Sequence, residues 1–121
     1  MKLNELMIGN YIEYAGVICE VEEIHKKTIT TNGVNAPISS FLSIPLTEEW
    51  LLNFGFEERE FNGDHSVWHM AFPSSCSFEL VADSNGWWYY DRFGNGIEIK
   101  HVSQLQNLYF CLTGEELTIK K

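Results

Sequence analysis

The residues best suited to metal chemistry lie in one segment, where Asp64 precedes His65, His69 follows and Cys76 comes later. Two histidines four residues apart bind one metal ion when they share a helix face. On a strand the same spacing separates them by roughly 13 Å, because each residue advances the chain by about 3.3 Å. The alternation of residues 66–72 predicts a strand. The sequence therefore predicts no metal site and no cofactor.

Cys76 is the strongest candidate for a nucleophile, and its candidate bases are His65, His69 and His101. A reactive thiol needs a neighbour that stabilises its thiolate, and no local motif provides one. The sequence also lacks a G-x-S-x-G elbow and a P-loop. The glycine-rich run 91–96 lies between two predicted strands, which makes it a hairpin loop rather than a phosphate-binding loop. The prediction is a non-catalytic protein, and the alternative is a small thiol or hydrolytic enzyme that uses Cys76.

Binding chemistry is indicated by the run Trp87-Trp88-Tyr89-Tyr90, which follows the turn signal Asn85-Gly86. Alternate residues of a strand point to opposite faces, so Trp88 and Tyr90 share one face while Trp87 and Tyr89 share the other. Large aromatic residues on both faces predict either that both are covered or that one contacts a partner. Only the aromatic pair on the uncovered face can then take part in function. The candidate interaction surface consists of Trp87, Tyr89, Trp68 and Tyr90.

The charge balance restricts the kinds of partner. Among 121 residues, 17 acidic against 8 basic side chains give a formal net charge of −9. This charge disfavours nucleic acid and anionic membrane as partners, because a phosphate-binding surface needs a basic patch. An acidic mimic of nucleic acid, which would occupy the basic groove of another protein, is a further alternative.

The cysteine pattern and the apolar runs indicate the compartment. Cys19, Cys76 and Cys111 form no C-x-x-C pair, and their odd number fits a reducing environment. No segment approaches the roughly 20 apolar residues that span a bilayer, and the first residues do not resemble a signal peptide. The sequence predicts a cytoplasmic protein with no membrane contact.

The first part of the chain predicts a small curled sheet and then a helix. Short strands at 11–14, 17–24 and 28–31 are joined by tight turns and suggest an SH3-like shape for residues 1–45. Thr47 is a good N-cap, and Gly55 suits a left-handed helix end, which together predict a helix over residues 48–54. Cys19 is expected in the core of the sheet.

The second part predicts an antiparallel meander and a closing helix. Ser103 and Gln106 form a capping-box pattern, Gly114 supplies the stop, and an apolar stripe of Leu105, Leu108, Tyr109 and Leu112 is expected to pack across the meander. The predicted fold is α+β, in a single compact domain over residues 1–121, with an SH3-like subregion at 1–45 and a helix–meander–helix subregion at 46–121. The five predicted strands are 57–61, 66–72, 77–81, 87–90 and 97–100.

Two segments carry a resemblance, P-L-T-E-E-W-L-L-N-F-G-F at 45–56 and V-S-Q-L-Q-N-L-Y-F-C-L-T-G-E-E-L at 102–117. Together with the opening E-L-M-I-G-N at 5–10, they are similar to a group of small uncharacterised proteins of gut bacteria and their phages and mobile elements. The resemblance covers most of the chain and implies no activity, cofactor or catalytic residue. The resulting hypothesis is an accessory protein of a phage or mobile element that acts by contact with an unknown protein partner, or with a second copy of itself.

Overall fold

The computed structural model describes residues 6–62, 65–70, 78–83, 86–90 and 93–119. Within these ranges the chain forms eleven strands, all paired antiparallel, and two α-helices. The predicted α+β class is therefore confirmed. The internal contacts group the chain into two compact units. The first comprises Met1–Pro45 and His101–Glu116, and the second comprises Leu46–Lys100 and Leu117–Lys121. The division of the chain into a single domain with subregions 1–45 and 46–121 stays a prediction.

The first unit contains two small three-stranded sheets. One has the order β2-β1-β6 and the other the order β3-β4-β5. Their strands are β1 (Tyr11–Tyr14), β2 (Val17–Glu20), β3 (Glu23–Ile24), β4 (Thr28–Thr31), β5 (Val34–Pro37) and β6 (Phe41–Leu42). The predicted strand at 17–24 is therefore divided between two sheets. The SH3-like comparison stays a prediction.

Two tight turns fold these strands into hairpins. Ala15 and Gly16 link β1 to β2 and both have positive φ, at 51° and 80°. Asn32 and Gly33 link β4 to β5 with φ of 45° and 79°. Positive φ at both central residues is what a type I′ turn requires, and its twist matches that of the flanking strands. Cys19 lies in the apolar core of this unit, as predicted.

Helix α2 (Val102–Thr113) belongs to the first unit. His101 is its N-cap, and the Gln104 side-chain oxygen accepts a hydrogen bond from the His101 backbone N–H at 3.1 Å. The predicted capping box at Ser103 and Gln106 is therefore wrong, because both residues lie inside the helix. The helix ends at Gly114 with φ of 76°, as predicted.

The apolar stripe of α2 is shorter than expected. Leu105 and Tyr109 are buried, whereas Leu112 is 51% exposed. Leu108 is half-buried. The covered part of the stripe therefore ends near Tyr109, and its packing across the meander stays a prediction.

The second unit begins with helix α1 (Glu48–Phe54), which forms as predicted. The Thr47 side-chain oxygen accepts a hydrogen bond from the Trp50 backbone N–H at 3.4 Å, and Gly55 takes a left-handed conformation with φ of 95°. The Thr47 side chain and the Gly55 backbone N–H thus provide hydrogen-bond partners for backbone groups at the two ends of the helix, which lack partners inside the helix. The buried side of α1 consists of Trp50, Leu51 and Phe54.

The five strands that follow form the predicted antiparallel meander. Each strand pairs with the next along the chain, so the order across the sheet is β11-β10-β9-β8-β7. A bulge between Glu58 and Glu60 interrupts the outermost strand. The strands are β7 (Glu57–Asn62), β8 (His65–Met70), β9 (Phe78–Asp83), β10 (Gly86–Tyr90) and β11 (Gly96–Ile99).

Candidate interaction surface

The strand register divides the meander into two faces, since residues directly opposite each other share a face. Trp68 lies opposite Leu80, Trp87 lies between Ala82 and Ile99, and Tyr89 lies opposite Ile97. We call this side the Trp87 face. Its main side chains are Trp68, Phe78, Leu80, Trp87, Tyr89, Ile97 and Ile99.

Aromatic contacts tie the Trp87 face together. Trp68 and Trp87 meet edge to face with ring centroids 5.9 Å apart, and Phe78 stacks on Tyr89 at 5.3 Å. Phe56 adds an edge contact to Phe78. Such pairs stabilise a core beyond the apolar area they bury. The aromatic residues of this face therefore have a packing role.

Trp68 needs a correction as a candidate surface residue. Its side chain is only 3% exposed, and its indole N–H donates to the Ser66 hydroxyl at 3.2 Å. A partner has no access to a side chain so completely covered. Trp87 and Tyr89 are half-buried on the same face, so Tyr90 is the one predicted surface residue that lies on the other side.

The opposite side, which we call the Trp88 face, is partly exposed throughout. Trp88 lies between Val81 and Glu98 in the register, and Val81 lies opposite Val67. Among the side chains that the structure describes on this face, each is at least partly exposed. They are Val67, His69, Glu79, Val81, Asp83, Trp88, Tyr90 and Glu98.

Trp88 and Tyr90 lie on β10, the second strand from one edge of this face. Their rings are nearly parallel, with an angle of 25° and centroids 6.4 Å apart, and Tyr90 is 47% exposed. Both residues point to the same side because they are two positions apart on β10. The pair therefore forms a partly exposed aromatic contact on this face.

Gly96 makes room for this pair on the neighbouring strand. It lies opposite Tyr90, and a Cβ at position 96 would be 2.8 Å from Tyr90 Cε1 and 3.4 Å from Trp88 Cε3. The first distance is shorter than any ordinary contact between carbon atoms. The missing side chain thus allows both rings to lie across β11.

Two carboxylates lie near Trp88, on the strands to either side of β10. Asp83 Oδ1 accepts from the Trp88 indole N–H at 3.3 Å and from the Gly86 backbone N–H at 3.1 Å. On the other side, Glu98 lies directly opposite Trp88 and its Oε1 is 3.8 Å from Lys100 Nζ. Trp88 therefore has one carboxylate hydrogen-bonded to its indole and a second, paired with Lys100, across from it on β11.

The residues considered for metal binding or nucleophilic catalysis are distributed differently. Asp64 and Cys76 lie outside the described residues, so the thiol-enzyme alternative stays a prediction. His69 is on the Trp88 face, and its Nδ1 is buried without a hydrogen-bond partner among the described residues. In those residues no three His, Cys, Asp or Glu side chains are grouped so that they could hold a metal ion.

Sequence reasoning missed Trp88 as a surface residue, although a signal for it was present. Glu79, Glu98 and His69 alternate with apolar residues on their strands, and the meander pairing puts all three on the side of Trp88. Polar residues on neighbouring strands mark the solvated side of an antiparallel sheet. Comparing the alternation of these three strands would have indicated that Trp88 and Tyr90 lie on the polar side of the sheet.

Within the ranges described above, neither helix has the length and apolar character needed to cross a bilayer.

No family model matches this chain, and no curated protein or solved structure matches it either. The resemblance to small proteins of gut bacteria and their mobile elements therefore stays a prediction.

Proposed function

We propose that this chain is a non-catalytic accessory protein that binds another protein through the Trp88 face. The observation that supports this most directly is the stacked Trp88–Tyr90 pair on a sheet face whose described side chains are all at least partly exposed. Tryptophan and tyrosine dominate the binding energy of many interfaces. A partner that covers the two rings would remove apolar surface from water, which favours association.

The proposal extends to the setting in which the protein acts. We place it in the cytoplasm as a product of a phage or mobile element. The cysteine pattern supports the reducing compartment, and the two segments at 45–56 and 102–117 support the origin.

Affinity capture with matched variants tests this function. The wild-type chain, Trp88→Ala, Tyr90→Ala and the control Phe110→Ala are immobilised and exposed to bacterial lysate. Phe110 is an exposed aromatic residue of α2, so its loss removes comparable surface elsewhere. We expect one protein to be captured by the wild type and the control, with a loss of about fivefold or more in both β10 variants.

The capture result is compared with thermal unfolding of each variant, so that loss of folding is recognised. Two β10 variants are used because Tyr90 is more exposed than Trp88, and its removal disturbs the sheet less. Equal capture by all four folded proteins would contradict the proposed function. Reproducible turnover of a substrate, abolished by a single substitution in this chain, would contradict its non-catalytic character.

A further inference from the structure

We propose that the Trp88 face binds an arginine side chain, carried by a basic segment of the partner protein. This inference rests on the proposed function and adds the chemistry of the partner. The aromatic pair, the carboxylates near it and the charge of the chain support it.

The aromatic pair provides two stacked, partly exposed rings for contact with a cation. The rings of Trp88 and Tyr90 lie within 25° of parallel and extend across Gly96 of the neighbouring strand. A cation over the face of an aromatic ring is attracted by the negative charge at the centre of the ring, most strongly for tryptophan. The planar guanidinium group of arginine also stacks on such a ring, which the compact ammonium group of lysine does not do.

The flanking carboxylates increase this attraction. Asp83 is held against the indole by the hydrogen bond from Trp88 Nε1, and Glu98 occupies the cross-strand position on the other side. Arginine can make two parallel hydrogen bonds to a carboxylate while its plane covers a ring. Both groups that recognise a guanidinium are therefore adjacent on one sheet face.

Lys100 already pairs with Glu98, so an arginine must compete with it for this carboxylate. Its ammonium nitrogen is 3.8 Å from Glu98 Oε1, and its side chain is 65% exposed. An ion pair between exposed side chains contributes little, because water and salt screen it. A guanidinium that pairs with Glu98 also stacks on a ring, which adds a contact that an ammonium group makes less well.

Charge complementarity selects a basic protein over other occupants of this face. Nucleic acid and anionic lipid are repelled by the flanking carboxylates and by the net charge of −9. A second copy that met this face symmetrically would bring Asp83 and Glu98 against their own equivalents. Like charges brought together at an interface oppose association.

Binding of three labelled peptides tests the chemistry directly by fluorescence anisotropy. Serine alternates with arginine in the first peptide, with lysine in the second and with citrulline, which is planar but neutral, in the third. We expect the arginine peptide to bind at least about threefold more tightly than the lysine peptide. The citrulline peptide should show no saturable binding.

Variants of the chain locate the site. Trp88→Leu should weaken the arginine peptide about fivefold, whereas Trp88→Phe, which retains an aromatic ring, should weaken it less. Glu98→Gln should also weaken it, whereas Glu20→Gln should leave it unchanged. Glu20 is exposed on β2, and its substitution changes the net charge equally, so this pair separates local contact from overall attraction.

Three results would each overturn the arginine proposal: equal binding of the arginine and lysine peptides, equal binding by Trp88→Leu and wild type, or equal losses in the two glutamine variants. If any of them occurs while lysate capture still depends on Trp88, only the arginine chemistry is wrong. If capture is also independent of Trp88, the proposed function fails with it.

Discussion

The side-chain oxygen of Gln106 accepts a hydrogen bond from the backbone N–H of Tyr11 at 2.8 Å. The amide nitrogen of the same side chain donates to the backbone oxygen of Gly9 at 3.1 Å. Gln106 is only 5% exposed, and both of these bonds are partly buried. A side chain of α2 thus satisfies backbone groups where the chain enters β1. Asn107 reinforces this contact by accepting a hydrogen bond from the Asn10 side chain at 2.8 Å.

Replacing Gln106 with leucine should destabilise the protein by about 2–3 kcal/mol, because two covered backbone groups lose their partners. Urea unfolding measures the change in the free energy of unfolding. Gln104→Leu is the matched control, since its bond to the His101 N–H is exposed and should contribute about 1 kcal/mol or less. Equal losses in the two variants would show that the buried amide has no special role.

Gly96→Ala should displace the ring of Tyr90, because the new Cβ would come within 2.8 Å of Tyr90 Cε1. We expect a loss of about 0.5–1 kcal/mol in the wild-type background, since an off-rotamer ring costs about that much. In a Tyr90→Ala background the same substitution should be neutral or stabilising, because alanine is better than glycine in a strand. A double-mutant cycle by urea unfolding measures the difference. Additive effects would be inconsistent with a contact between residue 96 and the ring.

Thr47→Ala should destabilise the protein by about 1 kcal/mol, because the Trp50 backbone N–H loses its side-chain acceptor at the start of α1. Thr47→Ser retains the hydroxyl oxygen and should restore most of the loss. Thr118→Ala serves as the control, as Thr118 is exposed and outside the helices. Thermal unfolding of the three variants compares them. The capping role would be excluded if the alanine and serine variants behaved alike.

Burial raises the pKa of Tyr109 from 10.0 to about 12, and the Glu115 carboxylate adds to the effect. The phenol therefore stays protonated in the fold at pH values where the unfolded chain has lost the proton. The resulting stability is fully present below pH 10 and is lost as pH rises from about 10 to 12, by about 2–3 kcal/mol in total.

Tyr109→Phe should remove this part of the alkaline loss. The measurement is the free energy of unfolding of the variant and the wild type across the same pH range, taken as a difference so that other titrating groups cancel. Tyr90→Phe, at an exposed position, should leave the alkaline loss in place. Parallel pH profiles for Tyr109→Phe and the wild type would refute the assignment.

Several elements were predictable because their determinants are close together in the chain. Helix α1 depends on Thr47 at one end and Gly55 at the other, and both residues act on backbone groups within four positions. The hairpin at Asn32-Gly33 depends on two residues that accept positive φ. The meander followed from short strands joined by short turns, which leave antiparallel pairing with the next strand as the simplest arrangement.

The start of α2 was predicted incorrectly for a non-local reason. Ser103 and Gln106 have the capping-box pattern, but Gln106 is used by the backbone of Gly9 and Tyr11 instead. Those groups are far away in sequence, so no local pattern shows the competition. His101 and Gln104 cap the helix two residues earlier.

By itself, the sequence determined the α+β class, the order of the meander strands and the alternation that puts Trp88 and Tyr90 on one face. It did not determine which face of β10 is covered, because large aromatic residues occur on both. Tertiary structure decided this through the neighbouring strands, which place Trp68, Phe78 and Leu80 beside Trp87 and Tyr89. Burial of that apolar set stabilises the sheet, whereas the other side carries carboxylates that are costly to remove from water. The Trp88 face, on which every described side chain is at least partly exposed, is therefore the more solvated one.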